Sequence, residues 1–138
     1  DAKKLAKFNL IVVDNQFQNL QDLNKVISEE NAGKNKTVFG YLSIGAAKKE
    51  EPWYEELENK QAIGEKNGDH NSFKIRLDKL GGDFAIFKKA IDMYFKDFGG
   101  IFLDDLDLHI KNSKEAVKLV AYIRTEFPKK KLMANRGF

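Results

Sequence analysis

The sequence contains no cysteine, which excludes disulfides and thiolate metal sites. That absence fits a secreted and a cytoplasmic protein equally. Long apolar runs are missing too. None approaches the roughly 20 residues needed to span a bilayer, so no membrane span is expected. No signal-peptide pattern is present, and the chain opens at Asp1, so the expectation is a start that has been processed or cut. Histidine is scarce: neither His70 nor His109 has a partner at metal-ligand spacing, and both read as surface or loop histidines. Phosphate-binding loops are lacking, because Gly81-Gly82 and Gly99-Gly100 have neither the Walker lysine context nor the GxGxxG spacing. A strong charge of one sign is lacking as well. The 24 cationic side chains are set against 21 acidic ones, mostly interspersed, for a net charge of +3. This pattern reads as a solvated surface and not as a nucleic-acid-binding one.

What is present is enough for one domain with a sizeable core. The chain has 138 residues, 42% of them hydrophobic and 33% charged, a soluble globular composition. Strand-like runs alternate with helical ones. Phe8 to Val13 reads as a buried strand ending at Asp14, and Leu20, Leu23, Val26 and Ile27 then recur at helical spacing until Gly33. Thr37 to Ile44 is a second strand, closing at Gly45. From Ala46 to Ser72 the pattern loosens. Pro52 is expected to begin a short helix carrying Trp53, Tyr54 and Leu57, and residues 64–71 read as a loop. A connection this long inside a compact domain often serves as a lid or binding loop.

Phe73 to Leu77 alternates as a short strand ending at Asp78. Asp83 is a candidate N-cap for a helix whose stripe is Phe84, Phe87, Ala90, Ile91, Tyr94, Phe95 and Phe98. Gly99 and Gly100 precede a strand, Asn112 with Glu115 resembles a capping box, and Lys131 to Asn135 is a last strand. The expected fold class is α/β: a parallel sheet of about five strands with flanking helices, either doubly wound or part of a (β/α) barrel. A full eight-unit barrel takes about 200 to 250 residues, so the chain is too short to form one alone.

The densest chemistry lies at residues 99–107, GGIFLDDLD, where a buried strand delivers three carboxylates within four positions. Parallel strands present catalytic groups at their C-terminal ends, and acids this close repel unless solvated, protonated or paired. If the strands are parallel, Asp14 and Asp104 face one cleft, with Tyr41, Ser43 and Asn135 as hydrogen-bonding neighbours. Glycoside hydrolysis needs one protonated and one ionised carboxyl group. Trp53 and Tyr54 are candidates to stack on sugar rings, or else pack under their loop. Asp105 is expected to point away from the cleft, because neighbouring strand residues face opposite sides. The acids also suit a hard cation, although the EF-hand offsets are absent.

Three segments, YLSIGAAKKE (41–50), GGIFLDDLD (99–107) and MANRGF (133–138), together with FNLIVVD ending at Asp14, resemble the endo-α-1,4-polygalactosaminidase-related hydrolases, glycoside hydrolase family 114 and its close relatives. The resemblance implies a TIM-like barrel, often secreted or at the cell surface, acting on α-1,4-linked galactosamine polymers. It implies Asp104 and Asp14 as catalytic acids and Asp107 and Asn135 beside them. With them the substrate-binding set is Tyr41, Ser43, Trp53, Asp107 and Asn135, and no metal or other cofactor is required. Family members often carry a glutamate just after the SxG turn, where this chain has Ala46, with Glu50 and Glu51 displaced. The expectation is therefore a partial TIM-like (β/α) barrel over residues 1–138, a fragment or truncated form whose open sheet edges favour self-association.

Two other readings stay open. One is a non-catalytic carbohydrate-binding or scaffold domain with a degenerate cleft. The other is a Mg-dependent phosphotransfer α/β domain using Asp14 and the Asp104 cluster.

Overall fold

A computed structural model of the protein describes residues 2–30 and 36–135. In chain order the elements are α1 (Ala2–Leu5), β1 (Ile11–Val13), α2 (Leu20–Glu30), β2 (Val38–Ser43), β3 (Ala46–Ala47), α3 (Tyr54–Asn59), β4 (Ile63–Lys66) and β5 (Phe73–Ile75). A short 3-10 helix (Leu77–Leu80), α4 (Ala85–Tyr94), β6 (Gly100–Asp104), a second 3-10 helix (Leu106–Asn112), α5 (Ser113–Glu126) and β7 (Lys131–Ala134) follow. Gly33, expected to stop α2, lies outside the described residues, as does the side chain of Asn112.

β1, β2, β6 and β7 form a parallel sheet in that order. Its central strands, β2 and β6, are buried along most of their length, with Tyr41, Phe102 and Asp104 half-buried. Val38, Leu42, Ile101 and Leu103 are buried in the core with Phe87, Ile91, Leu119 and Ile123 of α4 and α5. The stripe on α4 is thus the packing face its periodicity predicts. Two glycines make room for aromatic rings, Gly40 for one beyond the sheet and Gly100 for its register partner on β2. A Cβ on Gly40 would enter the Phe95 ring, and one on Gly100 would sit 2.5 Å from the Phe39 ring. The helix stops at Tyr94, before the glycine pair, but Phe95 and Phe98 remain buried beyond it. Lys130 Nζ donates to the carbonyls of Phe95, Lys96 and Phe98 at 2.8, 3.0 and 2.7 Å and ties this segment to the start of β7.

The α/β parallel architecture with flanking helices stands, but the expected fifth strand of that sheet belongs elsewhere. Phe73–Ile75 pairs antiparallel with both β3 and β4 in a separate three-stranded sheet. Part of the segment read as a loop, Ile63–Lys66, is β4 of that sheet. Alternation marks a strand without naming its partner, so the sequence pattern does not separate the two sheets. Asp78 consequently leaves the rim of the parallel strands; it lies in the first 3-10 helix and pairs with Arg76 at 2.9 Å. Asp83 accepts from the Ala85 N–H at 3.2 Å, just before α4, and binds Lys60 at 2.9 Å. Among the described residues no helix is long and apolar enough to cross a membrane.

Candidate functional site

The register of the parallel sheet assembles the site. Val13 lies opposite Gly40, Ser43 opposite Asp104, and Leu103 opposite Ala134. Asp14, Ser43, Asp104 and Asn135 therefore all fall at the C-terminal ends of adjacent parallel strands. Tyr41 and Phe102 are register partners one pleat back, their rings stacked at 6.2 Å. They share a face with Asp104, since residues two apart on a strand point the same way.

Asp104 is held at both oxygens. Tyr41 Oη donates to Oδ2 at 2.9 Å, and Asn135 Nδ2 donates to Oδ1 at 2.9 Å. The Asn135 backbone N–H bonds the Leu103 carbonyl at 2.9 Å, which extends the ladder by one residue and aims the amide. In both bonds Asp104 is the acceptor, the role a carboxylate plays. Burial pushes the Tyr41 hydroxyl well above the usual phenol range, and the Asp104 hydrogen bond and the neighbouring carboxylates push it the same way. Tyr41 thus stays a donor at any ordinary pH.

Asp105 does not turn away as strand alternation predicts. β6 ends at Asp104, and Asp105 has φ 61° and ψ 28°, the left-handed region. With the pleat broken, its side chain reaches Ser43, whose hydroxyl donates to Asp105 Oδ2 at 2.6 Å and accepts from the Ala46 N–H at 3.1 Å. Asp and Asn tolerate this conformation better than most residues. The Ser43-to-Ala46 turn lies so close to this corner that a Cβ on Gly45 would collide with the Asp105 carbonyl.

His109 is buried, contrary to its reading as a surface histidine, and its Nε2 lies 2.8 Å from the Ile44 carbonyl. Burial lowers its pKa, so the neutral imidazole donating to that carbonyl is the form that fits. The carbonyl of Gly45 accepts from Ile75 N–H at 2.8 Å, which fastens the small sheet to the large one.

Between the two sheets lies a cleft of about 470 Å³, lined by Asp14, Tyr41, Ser43, Asp104 and Asp105 from the parallel sheet and its strand ends and by Ala46, Lys48, Glu51, Asn67, His70, Asn71 and Ser72 from the segment that carries the small sheet. A second hollow of about 430 Å³ adjoins it and shares Asp14, Lys48, Glu51 and Asn71. The connection between β4 and β5, taken from the sequence as a lid or binding loop, thus supplies part of the lining. Asp14 is exposed, and its Oδ1 accepts from the Gln16 N–H at 2.8 Å, a local turn contact. Trp53 is not brought to this cleft. It is 6% exposed in the core, with its ring 5.9 Å from that of Tyr94 and 6.4 Å from that of Phe95. Tyr54 is likewise buried, edge-on to Phe73. Asp107 lies in the second 3-10 helix, outside the cleft lining.

Glu51 is the acid that strand-end reasoning passes over. It is half-buried, its Oε2 accepts from the Lys48 N–H at 3.3 Å, and burial pushes its carboxyl up to about 7. The Lys48 N–H and charge oppose that rise and the charge of Asp14 adds to it; the buried Trp53 indole N–H makes no hydrogen bond of ordinary geometry to the carboxyl. The displaced Glu50-Glu51 pair before Pro52 is its only trace in the sequence. Among the described residues no group of three or more acids and histidines is arranged to hold a metal ion.

No family model matches the sequence, and no curated protein matches it. Solved structures do. The glycoside hydrolase domain of PelA from Pseudomonas aeruginosa superposes with a TM-score of 0.74 at 20% identity, covering 99% of this chain and 55% of that one. A glutamate-to-alanine variant of the same domain gives a TM-score of 0.73 at 20% identity, covering 97% of this chain and 55% of that one. The chain thus spans about half the length of the structures it matches. At this identity the likeness is one of fold, and it agrees with the partial (β/α) barrel that the sequence resemblance implies.

Proposed function

We propose that this chain is a glycoside hydrolase-like domain acting on an α-1,4-linked galactosamine-type polysaccharide, with Asp104 as a catalytic carboxylate. The observation that carries the reading is the setting of Asp104. It ends a parallel strand and lines the cleft, with both oxygens held by Tyr41 and Asn135. A fixed carboxylate at this place is what the ionised partner of a glycosidase pair requires.

Charge supports the sugar class. Asp14, Glu51, Asp104 and Asp105 line the cleft against Lys48 and His70, an excess of acid that attracts a polymer carrying free amines. Polar rather than apolar lining suits a hydroxyl-rich ligand as well. A polysaccharide of this class as substrate goes with a secreted or cell-surface protein. In the reaction, the bond from the anomeric carbon to the bridging oxygen breaks, water supplies the new oxygen, and one proton passes to the leaving group.

Incubation with partially deacetylated α-1,4-galactosamine polymer tests the reading. Release of reducing ends by the parent, and its loss in Asp104→Asn, is the expected result. Binding without release under the same conditions removes the hydrolase proposal and leaves a carbohydrate-binding domain.

A further inference from the structure

We infer that Glu51, and not Asp14, is the proton donor of this cleft. The assignment rests on the glycosidase reading above and deepens it by naming the second carboxyl group. The two candidates sit differently. Asp14 is exposed on the turn after β1, and one of its oxygens is already engaged by the Gln16 N–H. Solvent reaches Asp14 freely, whereas the chain shields Glu51 in part.

Glu51 sits on the connection between β3 and α3, borders both hollows of the cleft, and is half-buried. Its surroundings include Asp14 after β1, Tyr41 on β2, Lys48 after β3, His70 in the β4–β5 connection, and Asp104 and Asp105 at the end of β6. Desolvation among these groups holds its proton into the neutral range, at about 7. In the same cleft Asp104 accepts from two donors, Tyr41 and Asn135. Two carboxyl groups whose environments favour opposite protonation states divide into acid and base.

The step balances simply. As the glycosidic C–O bond breaks, the Glu51 proton goes to the departing oxygen. Water gives its hydroxyl to the anomeric carbon, and the proton water loses restores the carboxyl pair.

The test combines a direct titration with leaving-group dependence. The Glu51 side-chain carboxyl carbon is followed by NMR in the labelled parent from about pH 4 to about pH 9, and assigned by its loss in Glu51→Gln. Turnover is measured on the galactosamine polymer and on a dinitrophenyl glycoside of a short galactosamine oligomer, whose leaving group needs no proton. The expected midpoint is about 7, matching the alkaline limb of the parent's kcat/KM profile. Glu51→Gln then loses roughly 10²- to 10⁴-fold on the polymer and little on the activated substrate. Asp14→Asn shows no such difference between substrates.

A midpoint in the ordinary glutamate range, equal losses on both substrates, or the leaving-group signature in Asp14→Asn overturns the assignment while the hydrolase reading stands. A parent that cleaves neither substrate overturns the hydrolase reading and the role of Glu51 together.

Discussion

The two walls of the cleft are built on different principles. One wall is the end of the parallel sheet, where Asp104 is fixed by a tyrosine from β2 and an asparagine just beyond β7. Its geometry follows from strand register, and its carboxylate is stabilised by donors. The opposite wall is the segment from Ala46 to Ser72, built on a small antiparallel sheet, where Glu51 has a single backbone donor and is dominated by burial. Donors favour an ionised acid and desolvation favours a protonated one. One cleft therefore carries two carboxyl groups in contrasting surroundings, one at the end of a rigid ladder and the other in a partly buried turn, and the proposed division of tasks rests on that contrast.

Substitutions on each wall separate these roles, and the largest effect belongs to the fixed one. Asp104→Asn keeps the shape but removes the charge, and about a 10³-fold loss of reducing-end release is expected. An equal loss in binding, measured by calorimetry with the polymer, would instead make Asp104 a recognition group.

The turn between β2 and β3 comes next. Gly45→Ala forces a Cβ against the Asp105 carbonyl, and a loss of about 1 to 3 kcal/mol in urea unfolding is expected. Tyr41→Phe leaves the Asp104 carboxylate with one donor fewer, and roughly a tenfold fall in kcat/KM with little change in urea midpoint is expected.

The pH dependence of stability is a smaller signature of the desolvated wall. Glu51 has a folded pKa of about 7 against a usual 4.5. Below 4.5 both the folded and unfolded chains hold the proton; between 4.5 and 7 only the folded chain does. The contribution of this group therefore declines as pH rises through that window and is flat above it. Urea midpoints at about pH 5 and about pH 8 should differ less in Glu51→Gln than in the parent. The smallest effect is expected at Trp53→Phe: the ring lies in the core, so a modest stability loss of about 1 kcal/mol with unchanged sugar affinity is the outcome. A loss of affinity would bring Trp53 back to the substrate.

Asp104 is legible because it lies at the end of an apolar run, and parallel strands bring such ends together; Tyr41 lies inside β2 and joins the site because it shares a face with the strand end. Asn135 was readable for the same reason, one residue past β7. Trp53 was not: an aromatic in a loose segment is equally compatible with stacking on sugar or packing in the core. Its contacts with Tyr94 and Phe95 come from α4 and the residue after it, about forty positions away, and no local pattern reports them. Asp105 departed from alternation because the strand ends one residue earlier and the chain turns through positive φ. His109 looked solitary in sequence because its partner is a backbone carbonyl, that of Ile44.

By itself the sequence determined that this is an α/β chain with parallel strands, flanking helices and a carboxylate-bearing strand end, because hydrophobic period and strand-end position are local properties. Only the tertiary structure decided that Phe73–Ile75 belongs to a second sheet, that Trp53 serves the core, and that Glu51 shares a cleft with Asp104. Those outcomes depend on which distant surfaces exclude water from which side chains. Desolvation is a property of the assembled surroundings and has no counterpart in residue order.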